Sequence, residues 1–425
     1  MASRNDSGKP VAVTGFGVIT SLGQGVEENW KKLIAGRSGI HAITRFPTDG
    51  LRTTIAGSVD FLDLERTNPP ALSHALAKAA IEEAMARAGW LGEEAFPGGL
   101  FLAAPPLEHD WETRRELCHT LSAGPNSPYS LEGAQFQPNE DTSAAHIEFT
   151  FGNLAAKLAR DYHTQGSPIT LTTACASGAS AIQLGVEAIR RGAKAALAVG
   201  TDGSIQEEAL IRFSKLSALS TKNDPPEKAS KPFSKNRDGF VMAEGGAALV
   251  LEDPDFARAR GAEIIAYVRG CGEATDTFHR TRSNPNGLAI MRTMQMAVDD
   301  AGIAPADISY INAHGTSTQE NDKMENFGIT EVFGKHATSG LAASSNKSMI
   351  GHTLTAAGAV EASFSILSLT EGMLPPTINY DIPDPNLELD VIPNQARKAS
   401  PEFVLSNSFG FGGQNVSLVF SRSAD

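Results

Sequence analysis

Residues 171–180 read LTTACASGAS. Leu171, Thr172 and Thr173 have the character of a strand end, and from Gly178 the chain takes helical spacing in GASAIQLGVEAIRRG. Between them stands Cys175, one of three cysteines in 425 residues. A thiol at a helix N-terminus faces unpaired amides and the positive end of the helix dipole. Such settings bring a cysteine from about 8.5 to roughly 3.5–7.5, so a reactive thiolate is expected. The small neighbours Ala174, Ala176, Ser177 and Gly178 leave room for a substrate. Taken alone, the stretch also fits a buried cysteine serving as a small hydrophobe, a common use of the residue.

Working outward, the chain alternates strands and helices. VAVTGFGVIT (11–20) is a strand, ALSHALAKAAIEEAMARAGW (71–90) a helix, and GGLFLAAP, PITLTTAC, AALAVGTDG and GGAALVLED further strands. Past residue 260 the order restarts. AEIIAYVRGCGEA is a strand, GLAIMRTMQMAVDDAGI a helix that echoes AAIEEAMARAGW, and ISYINAHGTST a strand running into a polar turn. The helix in SNKSMIGHTLTAAGAVEASFSILSLTEG echoes the one after Cys175. Two strands, EFVLSNSFG and QNVSLVFSR, close the chain around FGFGGQ. The pattern is α/β, with two similar units, 1–260 and 261–425, packed as one body with no Pro/Ser linker between them.

The formal net charge of −13 argues against non-specific binding to nucleic acid or anionic membrane. Cys118, Cys175 and Cys271 make neither a disulfide framework nor a metal-ligand spacing, so no metal is expected. No run of 18 apolar residues occurs, and the polar N-terminus leads directly into a strand, so a cytoplasmic protein without a membrane partner is expected. TGFGV lacks the third glycine of a dinucleotide fingerprint.

Three further stretches carry chemistry-bearing residues. In YINAHGTST, His314 ends an apolar strand, and Thr316 and Thr318 follow it as hydrogen-bonding groups or turn formers. In SNKSMIGHTLTAAGAVEA, His352 follows Gly351 where a helix would start, a place that disfavours imidazolium. A neutral ring there can donate from Nε2 to an oxyanion. Lys347 and Glu361 read either as an orienting charge pair or as ordinary surface residues. In NSFGFGGQN, glycines 410, 412 and 413 allow unusual backbone angles, and the Phe411 amide is a candidate oxyanion-hole donor, with Phe409 and Phe411 candidates for gating an apolar channel. A plain glycine-rich hairpin fits the same residues.

Together, TTACASG, NAHGTST, NKSMIGHT with AGAVEA, and NSFGFGGQN resemble the elongating β-ketoacyl–acyl carrier protein synthases, closest to type II, of the thiolase superfamily. VTGFGVITSLG, RDGFVMAEG and LPPTINY add to the resemblance, which covers nearly the whole chain. It implies a thiolase-like five-layered αβαβα fold, a homodimer, and an acyl carrier protein as partner. It implies that Cys175 takes an acyl group as a thioester and that His314 and His352 assist decarboxylation of the malonyl carrier protein, as in fatty acid chain elongation. The resemblance further implies that Lys347 with Glu361 holds the geometry, that Thr316 and Thr318 contact the phosphopantetheine arm, and that Phe213, Phe409 and Phe411 border the substrate. The oxyanion would sit on the amides of Cys175 and Phe411, and no metal or redox cofactor would be needed. Two alternatives accompany this: a specialised condensing enzyme for very-long-chain lipid, nodulation-factor or polyketide synthesis, and a non-catalytic partner subunit. The retained Cys175, His314 and His352 argue against the latter. Departures from the family pattern are Thr355 at a usual glycine, Asn346 in SNKS, DTFH at 276–279, and an atypical 95–150 segment that leaves chain length open. Basic residues near 65–80 reduce to Arg66 and Lys78, leaving Lys215 and Lys222 as candidates for carrier docking.

Overall fold

The computed structural model describes residues 8–62, 64, 68–90, 95–106 and 147–424. Most of the atypical 95–150 segment, with Cys118 and Arg66, lies outside them. The strands of the first half are β1 (Val11–Thr20), β2 (Gly98–Ala103), β3 (Ile169–Leu171), β4 (Ala195–Asp202) and β5 (Gly245–Glu252). Those of the second are β6 (Ala266–Thr275), β7 (Ile308–Asn312), β8 (Ala342–Ser344), β9 (Phe403–Phe409) and β10 (Gln414–Ser421). The first set is ordered β3-β2-β4-β5-β1 and the second β8-β7-β9-β10-β6, the same permutation. Directions repeat as well. β2 runs parallel to β3 and β4, and β5 is antiparallel to β4 and β1. β7 runs parallel to β8 and β9, and β10 is antiparallel to β9 and β6. The two first strands join the halves, with Val11 opposite Val268 in an antiparallel pairing.

Helices complete the layers. α1 (Pro69–Arg87) covers the outer face of the first sheet half, against β1, β4 and β5. Asn68 caps it by accepting the Ala71 amide, and prolines stand at its first positions, where no amide is needed. α2 (Ser177–Arg190) and α5 (Ala357–Glu371) form the middle layer, and α3 (Leu288–Ala301) with α4 (Gln319–Phe333) covers the second half. Five layers, αβαβα, result. α5 is buried from Ala357 to Leu369, as its apolar and serine sequence requires. Ser363, Ser365 and Ser368 each donate to the carbonyl four residues earlier, which satisfies their hydroxyl protons within the helix. α2 and α5 meet at glycine on each side. A Cβ on Gly178 would lie 2.5 Å from the Ala359 nitrogen, and one on Gly358 would lie 2.4 Å from that of Ala179. This close crossing is the physical content of the sequence echo between the two helices. Among the described residues no helix is long and apolar enough to cross a membrane.

Candidate active site

The segments that follow β3, β7, β8 and β9 bring Cys175, His314, His352 and Phe411 to one cleft, where loops from both halves converge. Cys175 sits between β3 and α2 on a sharp turn, with Ala174 at φ 49°. Ser177 holds this turn: its Oγ donates to the Ala174 carbonyl at 2.6 Å and accepts the Thr173 amide at 2.7 Å. Cys175 is partly exposed to a cleft of about 350 Å³. The expected acidic thiol is corrected here. Burial pushes it up to about 11, and the Phe411 amide and the Lys347 ammonium pull the other way without overcoming that cost. The helix start lies beneath packed small residues, so the site is drier than the sequence pattern implies.

His314 follows β7 and is buried. Glu325 of α4 fixes its backbone, accepting the His314 amide at 2.8 Å and the Gly315 amide at 2.7 Å, and it also accepts Asn407 Nδ2 at 3.1 Å. Lys347 and Glu361, read as possible surface residues, are each 1 % exposed and paired to one another. Lys347 Nζ also donates to the His314 carbonyl at 2.8 Å and lies 3.3 Å from its Nδ1. An ammonium can only donate, so His314 carries its proton on Nε2. His352 reaches the same state by another route, its Nδ1 accepting the Leu354 amide at 3.3 Å. Its Nε2 is buried without a hydrogen-bond partner, a donor waiting for an oxygen. Both imidazoles are held well below the usual histidine value, first by burial and then by the Lys347 charge, so both are neutral at pH 7. The expected direction for His352 holds, but burial rather than a helix terminus supplies most of it.

The ligand atoms of Cys175, His314 and His352 lie within 4.8 Å of one another, a spacing that three metal ligands could share. With both Nε2 atoms protonated and the Lys347 ammonium against His314, the set suits an incoming carbonyl oxygen better than a cation. The two rings meet edge to face at 5.3 Å, Phe409 flanks His314 at 5.7 Å, and Phe240 flanks His352 at 5.4 Å. Phe213, Phe411, Thr316 and Thr318 line the same cleft, and the two threonine hydroxyls share a 2.9 Å hydrogen bond. The backbone of Gly413, at φ +89°, passes so close to Asp276 that a Cβ would lie 1.9 Å from the Asp276 carbonyl oxygen. Cys175, the two histidines, the two threonines and Phe213, Phe409 and Phe411 therefore converge on one cleft, while Lys347 and Glu361 lie buried behind His314. Lys78, Lys215 and Lys222 are exposed on the surface.

The chain matches one family in two consecutive parts: residues 8–257 match the N-terminal domain of beta-ketoacyl synthase and residues 265–381 its C-terminal domain. The chain belongs to the beta-ketoacyl synthase family. This synthase is 38% identical to the 3-oxoacyl-[acyl-carrier-protein] synthase 2 of Coxiella burnetii, over 98% of this chain and 99% of the relative. It is 35% identical to a putative polyketide beta-ketoacyl synthase of Streptomyces cyaneus, over 97% and 98%. Among solved structures it is similar to the ketosynthase complex of a type II polyketide acyl-carrier protein, with a TM-score of 0.86 and 32% identity over 98% of this chain and 100% of that one. The synthase is an acyltransferase with the thiolase-like fold.

Two features of the site escaped the sequence reading, and a third, Thr355, was marked there only as a departure from the family pattern. Phe240 lies inside RDGF, a stretch that carried the resemblance but no assigned role. Glu325 reads as an exposed acid in a helix, and no local signal marks it as buried. Thr355, in the glycine's place, donates to Asp202 and to the Thr201 carbonyl, each at 2.7 Å, so it ties the turn after His352 to β4.

Proposed function

We propose that the chain condenses an enzyme-held acyl thioester with malonyl–acyl carrier protein, giving the 3-oxoacyl carrier protein and CO₂, the elongation step of fatty acid synthesis. The observation that carries this is the unpartnered, protonated Nε2 of His352 beside His314 and Cys175. Cys175 Sγ attacks the acyl thioester, and its proton ends on the departing phosphopantetheine sulfur. The amides of Cys175 and Phe411 take the oxyanion, in keeping with the Phe411 amide already directed at the sulfur. The malonyl thioester oxygen then rests on the Nε2 protons of His314 and His352. As the bond to CO₂ breaks, its electron pair becomes an enolate that these donors stabilise. The enolate carbon attacks the acyl carbonyl, the Cys175 sulfur leaves, and it recovers a proton from solvent. Lys347 and Glu361 hold His314 in its donor tautomer, and Thr316 and Thr318 receive the arm. No step calls for a metal or redox cofactor.

The family matches end and restart between residues 257 and 265, which supports a boundary near 260 between the two ketosynthase halves. A homodimer is supported by the edge strand β3, where Ile169 is 44 % exposed at the end of the sheet. A reducing cytoplasm suits the free thiols of Cys175 and Cys271. The deciding experiment is intact mass after incubation with carrier proteins loaded with chains from butanoyl to octadecanoyl. An acyl adduct on the Cys175 peptide, missing in Cys175→Ala, is expected. A folded protein that accepts no acyl group from carrier, coenzyme A or pantetheine donors would overturn the reading.

A further inference from the structure

The cleft mouth carries a pair of arginines to which nothing above gives a role. Arg280 and Arg282 line the cleft and are exposed, in a chain whose net charge is −13. Neither has a carboxylate within ion-pair distance among the described residues. Three acids share the cleft, yet two are committed elsewhere. Asp276 accepts the amides of Phe278 and Asn284, and Asp238 accepts the Ser220 hydroxyl and the Thr221 amide. The third, Glu320, stands in the first turn of α4. Between the arginines, Thr281 donates its amide to His279 Nδ1 at 3.1 Å, which leaves the His279 proton on Nε2 and adds a third donor to this rim.

The arginine loop is also fixed in place relative to the nucleophile. The Arg280 carbonyl accepts the Gly412 amide at 2.8 Å, and the Asp276 amide donates to the Gly413 carbonyl at 2.8 Å. The same glycine loop presents the Phe411 amide to Cys175. A cationic rim is thus tied by backbone hydrogen bonds to the oxyanion loop, at the entrance through which a thioester must reach Cys175.

We propose that Arg280 and Arg282 bind the phosphate of the incoming acyl donor, holding the arm in the cleft while its thioester reaches Cys175. This rests on the condensing reading above and adds specificity-determining residues to it. A phosphodiester is a compact anion with several acceptor oxygens, and paired guanidinium groups fit it through charge-assisted hydrogen bonds. Carrier-bound phosphopantetheine and coenzyme A both present phosphate, so the test separates the sources.

The experiment measures kcat/KM for acylation of Cys175 in the full-length protein, comparing wild type with Arg280→Ala, Arg282→Ala and the double variant. Four donors carry the same acyl group: the carrier protein, coenzyme A, free phosphopantetheine, and pantetheine, which lacks phosphate. The double variant is expected to lose on the order of tenfold to a hundredfold with the phosphate-bearing donors. With pantetheine its rate should equal that of wild type, and the penalty should shrink as salt is raised. Equal losses with pantetheine and phosphopantetheine would overturn the proposal in favour of a structural role. A loss confined to the carrier protein would overturn it in favour of contacts to the carrier's own acidic surface. Failure of wild type with every donor would instead refute the condensing function, a result separate from the other two.

Discussion

Cys175 shows how burial overrides a local pattern. Its place before α2 favours thiolate, yet the thiol is pushed up to about 11. Because iodoacetamide reacts with the thiolate, its rate at Cys175 should climb from pH 7 through pH 9 without levelling. A plateau below pH 8, read by peptide mass spectrometry, would show a thiolate already formed in the resting protein. The sign follows from the proton count: the folded state keeps its thiol proton above the usual value of about 8.5, so that contribution to stability is lost only as pH rises beyond it. Lys347 and Glu361 present the opposite case, two charges whose burial is tolerable only together. Burial raises the Glu361 carboxyl to about 7 despite the lysine beside it. Lys347→Ala would leave that carboxyl uncompensated, and a stability loss of about 3–5 kcal/mol in urea unfolding is expected. Replacing both with methionine should restore most of that stability while condensation stays impaired.

At the level of elements, the crossing of α2 and α5 carries the site. α2 begins two residues after Cys175, and α5 carries Glu361, so a shift between these helices moves the nucleophile against the Lys347–His314 group. Gly358→Ala drives a methyl to within 2.4 Å of the Ala179 nitrogen. It should cost about 1–3 kcal/mol through overpacking, and more activity than its stability loss accounts for. Full activity and an unchanged unfolding midpoint would show that the crossing is looser than its geometry. The helices, their rhyme and the glycines are visible in the sequence because buried helices leave a composition signature. Their pairing is not visible, since contacts between residues 178 and 358 leave no local signal.

At the level of the molecule, the sheet repeats one strand order twice and leaves β3 at an edge, with Ile169 exposed. An exposed apolar edge strand is a template for pairing, and the proposed homodimer would place a second copy there. If the proposed dimer forms through β3, Ile169→Asp should turn it to monomer in light scattering coupled to gel filtration, and slow acylation, because Cys175 lies six residues beyond that strand position. An unchanged dimer would move the interface away from β3.

By itself the sequence determined the α/β alternation, the two rhyming units and the identities of Cys175, His314, His352 and Lys347. Local propensity, glycine placement and short motifs act within a few residues and survive in the linear order. Tertiary structure alone decided the rest. It made Lys347 and Glu361 a buried pair, protonated both histidines on Nε2, turned Glu325 inward to hold His314, and raised the Cys175 thiol. Apart from the His352 tautomer, which the Leu354 amide two residues on selects, these depend on low dielectric and on partners 10 to 33 or more positions away, or in the other half of the chain. Desolvation belongs to the packed interior, and no short stretch of sequence contains it.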